Sequence, residues 1–413
     1  MRCGLLGRTL GHSYSPAIHA ALSGGDYSYE LFEVEPENLA SFLEQGDFHG
    51  LNVTIPYKTA VIPFCKQLSP DATAIGSVNT IIRFPDGSLY GNNTDAVGFL
   101  VMLQKSGIMV KRRKVLVLGS GGSSRTVCRI LKEQKAGEIV LVSRNGPVCY
   151  EDLDRHADAD VIVNTTPVGM YPNTEASPVE LSRFPRLKGV LDLIYNPTRT
   201  RLLQEAERRN IPHLGGLPML VGQAAEAMAL FISRIADGPE QHTVLQMLRR
   251  QMENLILIGM PGSGKSTIGR LVAKSMGRPF LDADQAIEEA ADCTIPEIFQ
   301  QEGEGGFRRR ETEVLAALGK RSGLVIATGG GCVTRPENYP HLHQNGTIVH
   351  LERALTALPR EGRPLSLTGD LEAMYKIRLP LYQSFADRTV ENAGDPETVA
   401  AQVLEVFYET LSH

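Results

Sequence analysis

The sequence predicts an α/β protein built on parallel sheets, with two ligand-binding units in one chain. Three observations carry this. Short apolar runs bounded by Gly, Ser or Thr alternate with amphipathic stretches, as buried parallel strands alternate with helices. Two of those runs feed glycine-rich turns about 140 residues apart, Gly119–Arg125 and Gly259–Thr267. The length of 413 residues has room for two or three domains at about 150 residues each.

Composition narrows the class. Apolar residues make 42% and charged residues 22%, enough to bury a sizeable core. The formal charge is −5, a mildly acidic balance that argues against a general nucleic-acid binder. No run of about 18 apolar residues is present, so no membrane-spanning helix is expected. Met1–Leu10 is broken by Gly4 and Gly7 and does not read as a signal peptide. The six cysteines form no C-x-x-C pair and read as reduced thiols, so a cytoplasmic location is expected.

Taken in chain order, Gly11–Pro16 comes first. It sets two hydroxyls before a helix expected to start near Pro16, a cradle for a carboxylate or an ordinary cap by Ser15. Asn52–Lys58 puts Lys58 just after an extended segment, and Asp95 closes Asn92–Asp95. That lysine and aspartate are a proton-transfer pair beside a carbonyl, or a surface salt bridge; spacing leaves both open. The run Lys114–Leu118 enters Gly119-Ser120-Gly121-Gly122-Ser123-Ser124-Arg125, a G-x-G turn with Ser124 where a dinucleotide fingerprint has its third glycine. The next run, Glu138–Val142, ends in Ser143-Arg144-Asn145. A carboxylate there suits a ribose 2′-hydroxyl and an arginine a 2′-phosphate, which favours NADP; an exposed arginine at a strand end is the bland reading. About 15 residues separate Asn145 from the run Val161–Asn164, room for one helix near Tyr150–His156. Glu240–Gln251 gathers Val244, Leu245, Met247 and Leu248 on one helical face. With no Gly/Ser or Pro-rich tether after it, the boundary between halves falls near Met252.

The second half opens with the run Leu255–Ile258 and then Gly259-Met260-Pro261-Gly262-Ser263-Gly264-Lys265-Ser266-Thr267, which fits G-x-x-x-x-G-K-[ST] between a strand and a helix. Its glycines let backbone N–H groups converge on phosphate, Lys265 reaches the β/γ-phosphates and Ser266 can ligate Mg²⁺. Asp282-Ala283-Asp284 follows an apolar run and offers two carboxylates, for a metal and a hydroxyl or merely for solvent. Arg309 and Arg310 read as a solvated helix face. After the run Val325–Ala327, Thr328–Gly331 exposes N–H groups to a second ligand, and Arg363-Pro364-Leu365 and Arg378–Tyr382 follow.

Over about Met1–Gln251 these motifs, with Ser77–Thr80, Asn164–Met170, Asp192–Pro197 and Gly215–Gln223, resemble shikimate dehydrogenases. The resemblance implies a two-lobed enzyme using NADP(H). It gives Ser13, Ser15, Thr54, Asn79, Asp95, Tyr195 and Gln223 to the substrate, Lys58 to general acid/base chemistry assisted by Asp95, and Leu193 and Gly216 to the nicotinamide. Gly119 to Ser123 and Arg144 would hold the rest of the cofactor. Over Glu253–His413 the motifs resemble shikimate kinases. That resemblance implies ATP and Mg²⁺, with Asp284, Arg308, Gly330 and Arg378 on shikimate and Phe299 packed beside its ring. Asp284 would accept the proton of the attacking hydroxyl, and Asp282 would position Mg²⁺ with Ser266. Pro261 to Thr267 and Arg360 would bind nucleotide, and Arg363 would neutralise the transferring phosphoryl group.

The sequence departs from both patterns. Only Glu361 and Gly362 separate Arg360 from Arg363, Val390–Pro396 carries no basic residue, and the second basic residue expected near Arg144 is replaced by Pro147-Val148. The expected fold is an N-terminal pair of lobes, an α/β substrate lobe and a Rossmann-like NADP lobe, followed by a P-loop kinase with a parallel sheet. The expected domains are 1–252 (substrate lobe about 1–98 plus a C-terminal helix about 218–252, NADP lobe about 99–217) and 253–413. The expected substrates are 3-dehydroshikimate and shikimate, with no nucleic-acid or membrane partner. The alternatives are a catalytically silent half, or a dehydrogenase that prefers quinate.

Overall fold

The computed structural model describes residues 1–11, 13–358 and 371–412. The chain divides into two compact units. One holds Met1–Tyr195 and Thr200–Leu248, the other Asn196–Arg199 and Arg249–His413.

The first unit contains two sheets. The N-terminal sheet has six strands in the spatial order Ser28–Glu33, Arg2–Gly7, Gly50–Val53, Thr80–Arg83, Leu89–Asn92, Cys65–Leu68. It is mixed, since Thr80–Arg83 runs antiparallel to both of its neighbours. The cause is local: Pro85-Asp86-Gly87 turns the chain back at once, Gly87 at φ 81°, with Asp86 Oδ1 accepting from Ser88 N at 2.9 Å. A turn this tight joins only antiparallel strands. Leu6, Leu51, Val53, Ile81 and Leu89 form the core beside this sheet.

The second sheet is parallel throughout, in the order His213–Leu214, Gly189–Asp192, Val161–Asn164, Lys114–Leu118, Glu138–Val142. Both faces are covered, which explains the unbroken apolar runs. Val115, Val117, Val163 and Leu191 pack with Phe99, Met102 and Met219, while Leu116, Leu118, Ile162 and Val190 pack with Leu202 and Leu203. The strand order reverses at Lys114–Leu118, so a crevice opens at its carboxyl end, where the Gly119 turn begins.

Two expectations need correction. The C-terminal helix expected over about 218–252 is two helices, Leu217–Ile232 and Gly238–Met252. Ser233 takes φ 55° and ends the first, and Gly238-Pro239 opens the second. The helix expected near Tyr150–His156 is a 3₁₀ helix, capped where Cys149 N donates to Asp152 Oδ2 at 3.1 Å.

The second unit carries one parallel sheet in the order Phe280–Asp282, Val325–Ala327, Asn254–Ile258, Gly346–Glu352, Arg388–Glu391. The first strand in sequence is central, so its carboxyl end delivers the Gly259 turn to the middle of the sheet edge. Ile256, Ile258, Ile326 and Ile348 pack on one face with Leu315 and Tyr382. Leu255, Leu257, Val325 and Val349 pack on the other with Ile268, Val272 and Phe407. Among the described residues no helix is long and apolar enough to cross a membrane.

Candidate active sites

In the first unit, Lys58 Nζ donates to Asp95 Oδ2 at 2.6 Å. Both side chains are only partly accessible, 29% for the lysine and 12% for the aspartate, so the pair is not a loose surface contact. Lys58 is held from behind, its carbonyl accepting from Val78 N at 2.7 Å. Asp95 is the first residue of the helix Asp95–Ser106, where the helix dipole favours a carboxylate. That helix packs tightly on Leu217–Ile232: a Cβ on Gly98 would meet Met219 O at 2.6 Å, and one on Gly222 would meet Gly98 Cα at 3.3 Å. The glycines thus permit the approach that sets Asp95 and Gln223 into one region. Asn79 Nδ2 donates to Gln223 Oε1 at 3.1 Å, and Asn79 Oδ1 accepts from Thr94 N at 2.7 Å.

The hydroxyl cradle is also built. Ser15 N donates to Ser13 Oγ at 3.2 Å. Ser15 is the first residue of its helix and Tyr14 holds the N-cap position, so Ser15 is not an N-cap. The Tyr14 and Tyr195 rings meet edge-on with centroids 6.3 Å apart, and burial pushes the Tyr195 phenol up. Thr54 N donates to Leu6 O at 2.9 Å, which places Thr54 at the end of its sheet, four residues before Lys58.

At the second sheet, Gly119 adopts φ 107°, and a Cβ there would meet Thr165 Oγ1 at 2.8 Å. Gly121 precedes the helix Gly122–Glu133 with no side-chain cap, leaving the first N–H groups for a ligand. Ser124 stands in for the third glycine because its buried hydroxyl donates to Gly121 O at 2.7 Å. Ser120 and Arg144 are exposed beside this edge, with Ser123 half-buried. Across the sheet, Gly216 leaves no room for a side chain, since its Cβ would lie 2.0 Å from Leu193 O. These two residues therefore share one tight junction.

In the second unit, one cavity of about 680 Å³ gathers residues from five separate motifs. Pro261, Gly262 and Gly264 to Thr267 form one wall, and Asp282, Asp284, Phe299, Arg308, Gly330 and Arg378 line the rest. Ser263 is fully buried, its carbonyl accepting from Asn392 Nδ2 at 2.7 Å. Lys265 Nζ donates to Gly259 O and Met260 O at 2.9 and 3.0 Å, and Ser266 Oγ donates to Asp282 Oδ2 at 2.6 Å. Asp282 also caps its helix, accepting from Asp284 N at 3.1 Å. Two hard oxygen donors this close fit Mg²⁺, which keeps most of its waters. Arg308 is buried and donates to Glu311 Oε2 at 2.7 Å, while Arg378 Nη1 and Tyr382 OH converge on Gly330 O at 3.1 and 2.5 Å. Phe299 stacks on Phe307 at 4.8 Å. Arg309 is exposed, and Arg310 pairs with Glu302 at 2.6 Å. Arg360 and Arg363 lie outside the described residues.

Several site residues escaped sequence reasoning. Glu311 has no exposed side-chain surface, and burial raises its carboxyl while Arg308 pulls it down. Its position three residues after Arg308 on a helix was the available signal. Asp192 is buried and accepts from Thr200 Oγ1 at 2.7 Å and Asn164 Nδ2 at 2.9 Å, tying two strand ends together under the crevice. Asn52 accepts from Tyr29 OH at 2.8 Å and donates to Thr80 Oγ1 at 3.3 Å, bracing Asn79 from below.

Two family models match the chain: "Shikimate dehydrogenase substrate binding domain" over residues 5–81 and "Shikimate kinase" over residues 261–408. A shikimate dehydrogenase (NADP(+)) of Clostridium perfringens is 36% identical over 265 residues, covering 60% of this chain and 97% of the relative. A chorismate mutase/shikimate 5-dehydrogenase fusion protein from Clostridium acetobutylicum matches in structure at TM-score 0.57 and 36% identity, over 60% of this chain and 96% of its own. The shikimate 5-dehydrogenase of Thermus thermophilus, in complex with NADP(H) and shikimate, matches at TM-score 0.55 and 34% identity, over 60% and 99%.

Proposed function

Since the chain belongs to the shikimate dehydrogenase family over its N-terminal part and continues into a shikimate kinase domain, we propose that it runs two consecutive reactions. The first reduces 3-dehydroshikimate to shikimate with NADPH. The second transfers the γ-phosphoryl group of ATP to the 3-hydroxyl so created. We assign the first to residues 1–252 and the second to 253–413.

The Lys58–Asp95 pair at 2.6 Å supports the first step. NADPH supplies the hydride to the carbonyl carbon. Lys58 gives its proton to the carbonyl oxygen, and Asp95 keeps the Lys58 side chain aimed. Ser13, Ser15, Thr54, Asn79, Tyr195 and Gln223 orient the ring through its hydroxyls and carboxylate. Gly119 to Ser123 cradle the pyrophosphate, Arg144 receives the 2′-phosphate, and Leu193 and Gly216 border the nicotinamide.

The observation that carries the second step is the single cavity joining Lys265 and Ser266 to Asp284, Arg308 and Arg378. Arg308 and Arg378 suit a carboxylate through their planar forks, and Phe299 borders the ring. Asp284 accepts the hydroxyl proton as that oxygen attacks phosphorus and ADP departs. Lys265 leaves its carbonyl partners for the β- and γ-phosphates. Ser266 and Asp282 hold Mg²⁺, which supplies charge neutralisation. We place Arg360 at the nucleotide and Arg363 at the transferring group.

Paired variants test the reading. Lys58→Ala should abolish NADPH oxidation and leave ATP-dependent phosphorylation of added shikimate. Lys265→Ala should do the reverse. If the unsubstituted chain lacks either activity, the two-step reading fails. Turnover on quinate faster than on shikimate would move the first step to the other polyol acid.

A further inference from the structure

Arg353 stands one residue beyond the strand Gly346–Glu352, against the Gly259–Thr267 loop. The loop rides on that strand end. Ile258 pairs with His350, and a Cβ on Gly259 would lie 2.5 Å from Leu351 O. Arg353 Nη1 reaches Gly262 O at 3.4 Å, a long bond, and the side chain lines the same cavity as Lys265 and Thr267. Its Nε is buried and has no hydrogen-bond partner among the described residues. The neighbouring Glu352 accepts from Tyr375 OH at 2.9 Å.

A buried guanidinium donor left unpaired carries a desolvation penalty that a ligand on the cavity side can relieve. The fork of an arginine matches phosphate oxygens, and the carboxyl end of a central parallel strand is where such sheets take ligands. Arg308 and Arg378 sit at Gly330 and Gly331, on the acceptor side; Arg353 sits at Gly262, on the phosphate side. We propose that Arg353 is a nucleotide-binding residue, donating from its guanidinium to the phosphates beyond the first of the bound nucleotide. This rests on the reading of the cavity as a phosphoryl-transfer site. It adds a cation anchored on a strand end, in a chain whose Arg360–Arg363 segment is short.

The test is binding of ATP, ADP, AMP and shikimate to the full-length chain and to Arg353→Gln and Arg353→Lys. Arg353→Gln removes the charge together with the long Gly262 contact, and AMP, whose single phosphate lies outside the proposed contact, reports any loss that comes from the loop alone. ATP and ADP should bind Arg353→Gln about 10- to 100-fold more weakly, the range for a desolvated charge-assisted hydrogen bond. AMP and shikimate should be nearly unaffected, and Arg353→Lys should recover part of the ADP affinity. Retained shikimate and AMP binding reports that the second unit of each variant is folded. Unchanged ADP affinity, an equal loss for AMP, or a loss of shikimate affinity instead would overturn the proposal. An unsubstituted chain that binds ADP in this Arg353-dependent way yet phosphorylates no shikimate would reject the kinase reading and leave Arg353 at a phosphate site. A chain that binds no ADP rejects both.

Discussion

Lys58, Glu311 and Asp192 show how burial decides what a charged residue does. Lys58 is half-buried beside the Asp95 carboxylate, which fixes where its side chain points. Lys58→Ala should lower kcat of the reduction by about 10²–10⁴, the range for loss of a general acid, with NADPH affinity retained. Glu311 instead neutralises the buried Arg308. Glu311→Gln leaves that guanidinium with a weaker partner; the chain should lose about 3 kcal/mol in denaturant unfolding and show a raised KM for shikimate. Asp192 is a case of desolvation winning. Burial pushes its carboxyl up to about 7, against the pull of Thr200, Ile194 and Asn164. An acid with a raised folded pKa binds its proton more tightly folded than unfolded. Its stabilising contribution is full at acid pH and is lost as pH rises from about 4 through about 7. Asp192→Asn should flatten the pH dependence of Tm across that window, and an unchanged slope would remove Asp192 from this role.

Among the elements, the helix pair Asp95–Ser106 and Leu217–Ile232 positions the first site. Gly98→Ala puts a methyl 2.6 Å from Met219 O, a backbone atom that cannot swing aside. The expected cost is about 1–3 kcal/mol of stability, with a higher KM for the keto acid because Asp95 and Gln223 separate. Unchanged kinetics would show that the helix spacing does not set the site. Lys114–Leu118, Glu138–Val142, Val161–Asn164, Leu255–Ile258 and Val325–Ala327 were legible in the sequence as apolar runs because both faces of their sheets are covered. Gly119 and Gly259 marked where two of them deliver ligand loops, whereas Gly189–Asp192 and Gly346–Glu352 were not read. The Thr80–Arg83 hairpin was not read, although Pro85-Asp86-Gly87 is a turn signal, because its strands are only four residues long and the first is buried without alternation. Ser233 itself carries no break signal, a serine at φ 55° being a tertiary outcome, but Gly238-Pro239 five residues on is one that the single-helix expectation passed over. Asn52 and Glu311 were missed for another reason. Their partners lie across strands or one helical turn away, and only the fold shows that these polar groups are buried together.

For the whole molecule, the central claim is that one chain makes a hydroxyl and then phosphorylates it. The net charge of −5 offers no general means of retaining an anionic intermediate. Shikimate should therefore exchange freely with solvent, and added unlabelled shikimate should dilute labelled product in proportion to its concentration; retained label would contradict this. The most direct test supplies 3-dehydroshikimate, NADPH and ATP·Mg²⁺ to the purified chain and follows nicotinamide oxidation and shikimate 3-phosphate together. The account predicts one phosphorylated product for each NADPH consumed, after a lag in which shikimate accumulates. NADPH oxidation without phosphorylated product, or neither signal, would contradict it.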